Sequence, residues 1–115
     1  CYAFAGYALD PDEALVITHR PPPCRFWNLV VWNPFMATEA VTDARTSINN
    51  GAAVPNADGS VTVVVARDRL AHPNAVSTCD HAEGALALRW FLAEHVPTQP
   101  DVELVRAKDT PTTPT

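Results

Sequence analysis

The sequence has no surplus of basic residues and no long apolar run. Its 115 residues include 8 lysines and arginines against 13 aspartates and glutamates, which gives a formal net charge of -5. The basic residues are scattered, so the phosphate backbone of a nucleic acid would be repelled and we expect no nucleic-acid partner. Arg89 interrupts the late apolar stretch, and Asn28 and Asn33 interrupt the earlier one, before either reaches the roughly 20 residues of a membrane-spanning helix. We therefore expect no membrane span.

Cysteine is scarce and odd in number. Cys1, Cys24 and Cys79 show no repeated spacing, and a chain of this length can build a core without covalent cross-links. A disulfide between Cys24 and Cys79 is one interpretation, and free buried thiols are the favoured one. The redox compartment stays open, with the cytoplasm slightly favoured over secretion.

An initiator methionine is also missing, since the chain begins at Cys1. We expect a piece of a longer polypeptide, because the first residues look cut close to a strand. The alternatives are a processed protein and a lipoprotein whose first mature residue is cysteine.

The sequence lacks the spacing of a metal site. Residues 78–81 place a hydroxyl, a thiol, a carboxylate and an imidazole side by side, which invites a nucleophile or metal interpretation. On an extended segment Cys79 and His81 could converge, whereas Asp80 would point to the other side. A zinc site would show more thiols or imidazoles two to four residues apart. We predict no metal and no cofactor, and we favour a loop with local hydrogen bonds over covalent catalysis.

What the sequence does have is a series of β-branched and aromatic segments bounded by turn residues. Residues 56–60 contain Asp-Gly, which supplies the positive backbone angles of a tight turn. The valine-rich residues 61–66 follow at once and are apolar on both faces, which predicts a strand covered on both sides. Further strands are predicted at residues 2–9, 13–19, 25–32 and 101–106. The aromatic segment 25–32 suits a central position, and residues 101–106 alternate as a half-exposed edge strand does.

Two segments leave the secondary structure open. Residues 85–94 have the composition of a helix, yet Leu86, Leu88 and Trp90 recur at the period of a strand. Residues 35–55 lose their pattern, which indicates either a functional loop or a concealed edge strand. Residues 67–84 are predicted as loop. We assign one domain to residues 1–109 and a disordered tail to residues 110–115.

The order of these segments resembles that of the domain of unknown function 1214 family, especially its actinobacterial branch. The resemblance covers about residues 5 to 106 and rests on the segments EALVITHRPPPCRFWNLVVWN, RTSIN, NADGSVTVVVARD, HPNAVSTCDHAEGALALRWF and PDVELVR. It implies an all-β fold, an antiparallel β-sandwich of jelly-roll type with little helix. It also implies the C-terminal part of a longer protein, and it favours a strand for residues 85–94.

The resemblance further implies a set of polar positions. These are Asn74, His81, Gly84 and Arg89, together with Arg45, Ser47 and Asn49. One departure is Ala75, where the family usually carries tryptophan. A pocket walled by that tryptophan would be wider or absent in this chain.

The candidate site residues each have a structural alternative. Arg89 could anchor an anionic group through its two-pronged donors, or it could form a structural ion pair or face outward, which we favour. Arg45, Ser47 and Asn49 would share one face of an extended segment and could line a polar pocket with Arg89 and His81. An exposed loop is the alternative for these three residues. The tryptophans are predicted as core rather than as a ligand platform.

Three functional hypotheses follow. The first is a β-sandwich module that packs on another domain or subunit, or binds a small ligand between its sheets. The second is an enzyme or enzyme subunit for a small anionic or polar substrate, with His81 as acid and base, Arg89 as anion anchor, and Asn49 or Asn74 orienting the substrate. The third is self-association through the edge strand at residues 102–106.

Overall fold

The described part of the chain contains eight β-strands. The computed structural model describes residues 2–20, 26–32, 47–67, 70–78, 82–91 and 100–113. The strands are β1 (Tyr2–Ala8), β2 (Glu13–His19), β3 (Phe26–Trp32), β4 (Ser47–Asn49), β5 (Val61–Ala66), β6 (Ala75–Ser77), β7 (Glu83–Phe91) and β8 (Asp101–Arg106). The described ranges contain no α-helix, and a single 3-10 turn at Ala107–Asp109 follows β8. The prediction of an all-β chain with little helix is confirmed.

The strands form two sheets that share one hydrophobic core. The first sheet has the order β1-β7-β3-β4 and the second the order β6-β5-β2-β8. Leu29 and Leu88 of the first sheet belong to the same buried cluster as Ile17 and Val63 of the second. The molecule is therefore a β-sandwich, because the apolar faces of two sheets bury each other.

The valine-rich strand β5 lies inside the second sheet, as predicted. Every one of its side chains is buried. Val63 and Val65 belong to the shared core, while Val64 packs on the opposite face with Leu70 and Val105. The preceding turn also matches the prediction, because Gly59 has a φ of 86°. Only a residue without a Cβ adopts that angle at low cost.

The ambiguous segment is a strand. β7 runs from Glu83 to Phe91 and pairs with β1 on one side and β3 on the other. Leu86, Leu88 and Trp90 all point into the core. The helical interpretation is wrong because two flanking strands supply hydrogen-bond partners that outweigh the helical composition.

A glycine allows β7 to pass close to its neighbours. Tyr7 lies opposite Gly84, and its hydroxyl donates a hydrogen bond to the carbonyl oxygen of Trp32 at 3.3 Å. A Cβ at Gly84 would collide with that same oxygen and with the Tyr7 side chain. Gly84, one of the positions that the family resemblance implies, is therefore glycine for a steric reason.

Two short strands were not predicted as such. β4 is the concealed edge strand of residues 35–55, and it pairs with β3. β6 lies within residues 67–84, which were predicted as loop, so that prediction is wrong for Ala75–Ser77. β6 runs parallel to β5. The prediction of an antiparallel sandwich is therefore wrong for this pair. The five other pairs of described strands are antiparallel.

The parallel pair is held by main-chain hydrogen bonds at both ends. Val64 donates to the carbonyl of Asn74 at 3.4 Å, and Thr78 donates to the carbonyl of Ala66 at 2.9 Å. A turn in which Ala75 donates to the carbonyl of His72 at 3.0 Å aims the chain into this register. A parallel pair usually needs a long crossover. The connection here is short because β6 meets only the end of β5.

β8 is an edge strand, as predicted. It pairs with β2, and the described strands include none on its other side. Its residues are exposed or half-buried. After the 3-10 turn, Thr110 donates hydrogen bonds from its amide and its hydroxyl to the carbonyl of Ala107. No helix of the described residues is long and apolar enough to cross a membrane. Cys1, Cys24 and Cys79 lie outside the described residues, and so do both interpretations of them, the favoured free thiols and the alternative disulfide.

Candidate functional site

The outer face of the first sheet carries a row of polar residues. Asn28 of β3 lies opposite Asn49 of β4 on one side and opposite Arg89 of β7 on the other. The residues beside them in sequence, Leu29 and Leu88, point into the core. Since side chains alternate along a strand, Asn28, Asn49 and Arg89 share the outward face. We call these three residues the polar row.

Arg89 is exposed at the centre of this face. Its Nε donates to Oδ1 of Asn28 at a distance of 3.4 Å. Ser47 is exposed on the same face, opposite Val30. The structure thus brings Ser47, Asn49 and Arg89 onto one surface, as an extended segment at residues 45–49 would. Ser47 and Arg89 are exposed on this surface, Asn28 and Asn49 are half-buried, and Ala85 and Ala87 on the same face are buried.

The Asn49 side chain is committed to its own backbone. Its Oδ1 accepts the amide of Gly51 at 2.9 Å and the amide of Ala52 at 3.1 Å. Such a bridge from an asparagine to the residues just after it closes a turn. Asn49 therefore ends β4, and only its amide nitrogen remains to face outward.

Asn74 lies in a different part of the molecule and is fully buried at 0% exposure. Its Oδ1 accepts the amide of Val54 at 2.8 Å, and its Nδ2 donates to the carbonyls of Val54 at 2.8 Å and Thr62 at 2.9 Å. These bonds attach the loop before β5 to β5 itself. Asn74 is thus separate from the polar row and acts as a structural link.

Two predicted site residues, Arg45 and His81, lie outside the described residues. The enzyme hypothesis requires His81 to share a cleft with Arg89, which lies on the outer face. Within the described residues, no group of three histidine, cysteine, aspartate or glutamate side chains is arranged to hold a metal ion.

The sequence interpretation missed a buried histidine. A histidine at the end of a strand is by default exposed to solvent, yet His19 is only 3% exposed. It belongs to the face of β2 that carries Leu15 and Ile17, and alternation along the strand was the signal that could have found it. Its ring stands edge-on to Trp27 with ring centroids 4.6 Å apart, and 6.3 Å from Trp90. Both tryptophans are core residues, as predicted, whereas the prediction is wrong for Trp32, which is only half-buried.

The His19 ring is neutral in the folded protein. Neither of its nitrogens has a hydrogen-bond partner among the described residues. Burial disfavours the charged imidazolium and lowers the pKa of His19 to about 4. A second buried histidine, His72, has a lowered pKa for the same reason. Its Nδ1 accepts the amide of Asn74 at 2.9 Å.

β8 exposes apolar side chains on the face of the second sheet that points toward the core. Val102 lies opposite Ile17 and Leu104 opposite Leu15, so each pair shares a face. Ile17 is buried in the shared core and Leu15 packs against it. Val102 and Leu104 are nevertheless 55% and 53% exposed. The apolar face of this sheet therefore continues onto β8, where its side chains are more than half exposed. We call Val102 and Leu104 the β8 strip.

Comparisons with known proteins bear on the fold. No protein-family model matches the chain, and a search of curated proteins found no match. The crystal structure of an uncharacterised protein from Burkholderia cenocepacia is similar, with a TM-score of 0.88 and 34% identity over 95% of this chain and 30% of that chain. The VPA0106 protein from Vibrio parahaemolyticus has a TM-score of 0.65 and 16% identity over 91% of this chain and 31% of that chain, a likeness that shows the fold alone. This chain spans about a third of the length of the two proteins it resembles.

Proposed function

We propose that this chain is a β-sandwich module that packs on another domain or subunit through β8. The observation that carries the proposal is the β8 strip. Single exposed apolar residues are common on protein surfaces and need no explanation. Val102 and Leu104 differ because they are neighbours on the core-side face of β8, opposite Ile17, which is buried, and Leu15, which is half-buried against the core.

The open edge of β8 supports the same proposal. An edge strand presents a row of main-chain donors and acceptors that can pair with another chain. Asp101, Glu103 and Arg106 place charges along this edge. Charged residues are a common means of limiting uncontrolled pairing at an edge, so they restrict β8 to a matching partner.

The length of the similar proteins also supports a module. The two crystal chains that this fold resembles are each about three times as long as the matched part. In both of them the fold accompanies further polypeptide, against which it can pack.

We further propose that the sandwich is of jelly-roll type and that the chain is related to the domain of unknown function 1214 family. The strand order supports the first part, because the chain passes repeatedly between the sheets and places β1 beside β7 and β2 beside β8. Two sheets with neighbours distant in sequence are typical of that architecture. The ordered segments of the sequence support the second part, and the strands fall within them.

Photo-cross-linking tests the contact function. The photoreactive residue p-benzoylphenylalanine replaces Leu104 in the natural gene, and Val54 in a control. Val54 is 43% exposed and lies outside the strands. We expect irradiation of intact cells to join position 104, and not position 54, to one defined protein segment. Equal or absent cross-linking at the two positions would contradict the proposal.

A further inference from the structure

We infer that β8 pairs with the β8 strand of a second copy of this chain, antiparallel and centred on Leu104. The inference rests on the proposed function, because it takes β8 as the contact strand. It goes further by naming the partner and the residues that meet.

One hydrogen bond identifies which main-chain groups of β8 point toward β2 and which point away from it. Ala107 donates its amide to the carbonyl of Asp12 at 2.7 Å, in the same register that pairs Glu13 with Arg106. In an antiparallel pair, alternate residues direct both their amide and their carbonyl toward the partner strand. Residues 101, 103, 105 and 107 therefore face β2. The amides and carbonyls of Val102, Leu104 and Arg106 point away from β2, along the edge that no described strand pairs with.

Only a few registers bring these groups together in two copies. A two-fold axis perpendicular to the sheet keeps equivalent faces of the two copies on the same side. One residue of β8 must then lie directly opposite its own copy, and the axis passes midway between the two. An axis at Leu104 pairs Leu104 with its own copy and Val102 with the Arg106 of the second copy. The main-chain groups of all of these residues point away from β2, and no described strand pairs with them, so this register forms about six main-chain hydrogen bonds.

One neighbouring register, centred on Glu103, is disfavoured by charge. An axis at Glu103 would place Glu103 opposite its own copy in a pair without main-chain hydrogen bonds, where the Cα atoms approach to about 4.5 Å. Like charges directly opposite each other destabilise a strand pair. The Leu104 register instead places Glu103 opposite the Val105 of the second copy, and no two like charges meet.

The Leu104 register also joins the exposed apolar side chains. The β8 strips of the two copies meet at the axis, where Leu104 packs beside its equivalent. The second copy's Arg106 lies beside Val102, so its aliphatic stem can cover that valine. The guanidinium of each Arg106 is already 2.6 Å from a carboxylate oxygen of Asp12. The charged end therefore keeps its partner while the stem packs.

Sedimentation equilibrium tests the pairing, and two opposite charges test the register. We expect the apparent mass of the 12.5 kDa chain to rise toward the dimer value between about 10 µM and about 1 mM, the range of a weak contact. Leu104→Lys and Leu104→Glu should each stay monomeric, because each places like charges at the axis. An equimolar mixture of these two variants should recover the dimer. Val54→Lys is the matched control and should associate like the parent protein.

Each contrary result has one meaning. A parent chain that stays monomeric throughout overturns the self-pairing. So does failure of the mixed variants to associate, because that result contradicts a meeting of position 104 with itself. The proposed contact function survives both results if photo-cross-linking at position 104 captures a segment other than β8. It fails together with the inference if position 104 cross-links nothing.

Discussion

β5 and β8 belong to the same sheet and have six residues each, yet every residue of β5 is buried and β8 is mainly exposed. Ile17 of β2 makes the comparison direct, because it lies opposite Val63 on one side and Val102 on the other. Val63 is completely buried while Val102 is exposed by more than half. The composition of a strand decides that it joins a sheet, and its distance from the sheet edge decides whether it is covered.

The largest effect is expected from a negative charge placed at Val63, and the same charge at Val102 on the other side of Ile17 is the comparison. Val63→Asp buries a carboxylate in the core and should lower the free energy of unfolding by about 4 kcal/mol or more. Val102→Asp should change it by no more than about 0.5 kcal/mol, because that position already contacts water. Urea denaturation at micromolar concentration measures both. Similar losses in the two variants would contradict the assignment of β8 as an uncovered edge.

Acid should weaken the covered part of the sheet through His19. The pKa of His19 is lowered to about 4 in the folded protein, whereas in the unfolded chain it lies near 6.5. The unfolded state therefore binds the proton first, and the free energy of unfolding falls as the pH drops from about 6.5 toward 4. The loss reaches about 3 kcal/mol below that range.

His19→Leu should remove most of this dependence, and urea denaturation between pH 7.5 and 4 measures it. His72, whose pKa is also lowered by burial, contributes a remaining slope of the same sign. An unchanged slope in His19→Leu would show that His19 is not buried in the neutral form.

Asn74 should stabilise the fold by holding the loop before β5 against β5. Asn74→Ala removes three hydrogen bonds and leaves the Val54 amide without its acceptor, so we expect a loss of about 3 kcal/mol. Asn49→Ala is the comparison on the exposed surface, and its loss should be about 1 kcal/mol because water can replace the side-chain oxygen. Thermal denaturation ranks the two variants. A larger effect at Asn49 would contradict the structural role given to Asn74.

The smallest expected effect is at the turn that leads into β5. Gly59→Ala places a Cβ on a residue with a φ of 86° and should cost about 1 kcal/mol. Gly6→Ala is the control in β1, because the added Cβ would make only an ordinary contact with the carbonyl of Gly84. Its cost should stay below that of Gly59→Ala in the same denaturation experiment. The reverse order would contradict the turn geometry.

Local pattern predicted the strands well where each residue had a clear preference. The valines of β5 and the alternation of β8 specified both conformation and exposure. β7 was ambiguous because alanine and leucine also favour helices, and only its two flanking strands decide the matter. β6 was missed because a pairing of three residues depends on where the chain returns, which no local pattern records.

The candidate site was predictable only in part. Spacing at every second residue correctly placed Ser47 and Asn49 on one face. The bonds of Asn74 reach residues 12 and 20 positions away, so its structural role could not be inferred from neighbouring residues. His19 shows the opposite case, because the alternation of apolar residues along β2 is by itself enough to indicate that this side chain is buried.

The position of β7 has a consequence for how the protein is made. β1 pairs with β7, and β7 separates β1 from β3. A growing chain on the ribosome therefore holds an unpartnered first strand until about residue 91 has emerged. Pairings between distant residues close slowly, so nascent chains should need protection from aggregation until β7 has been synthesised and can pair with β1.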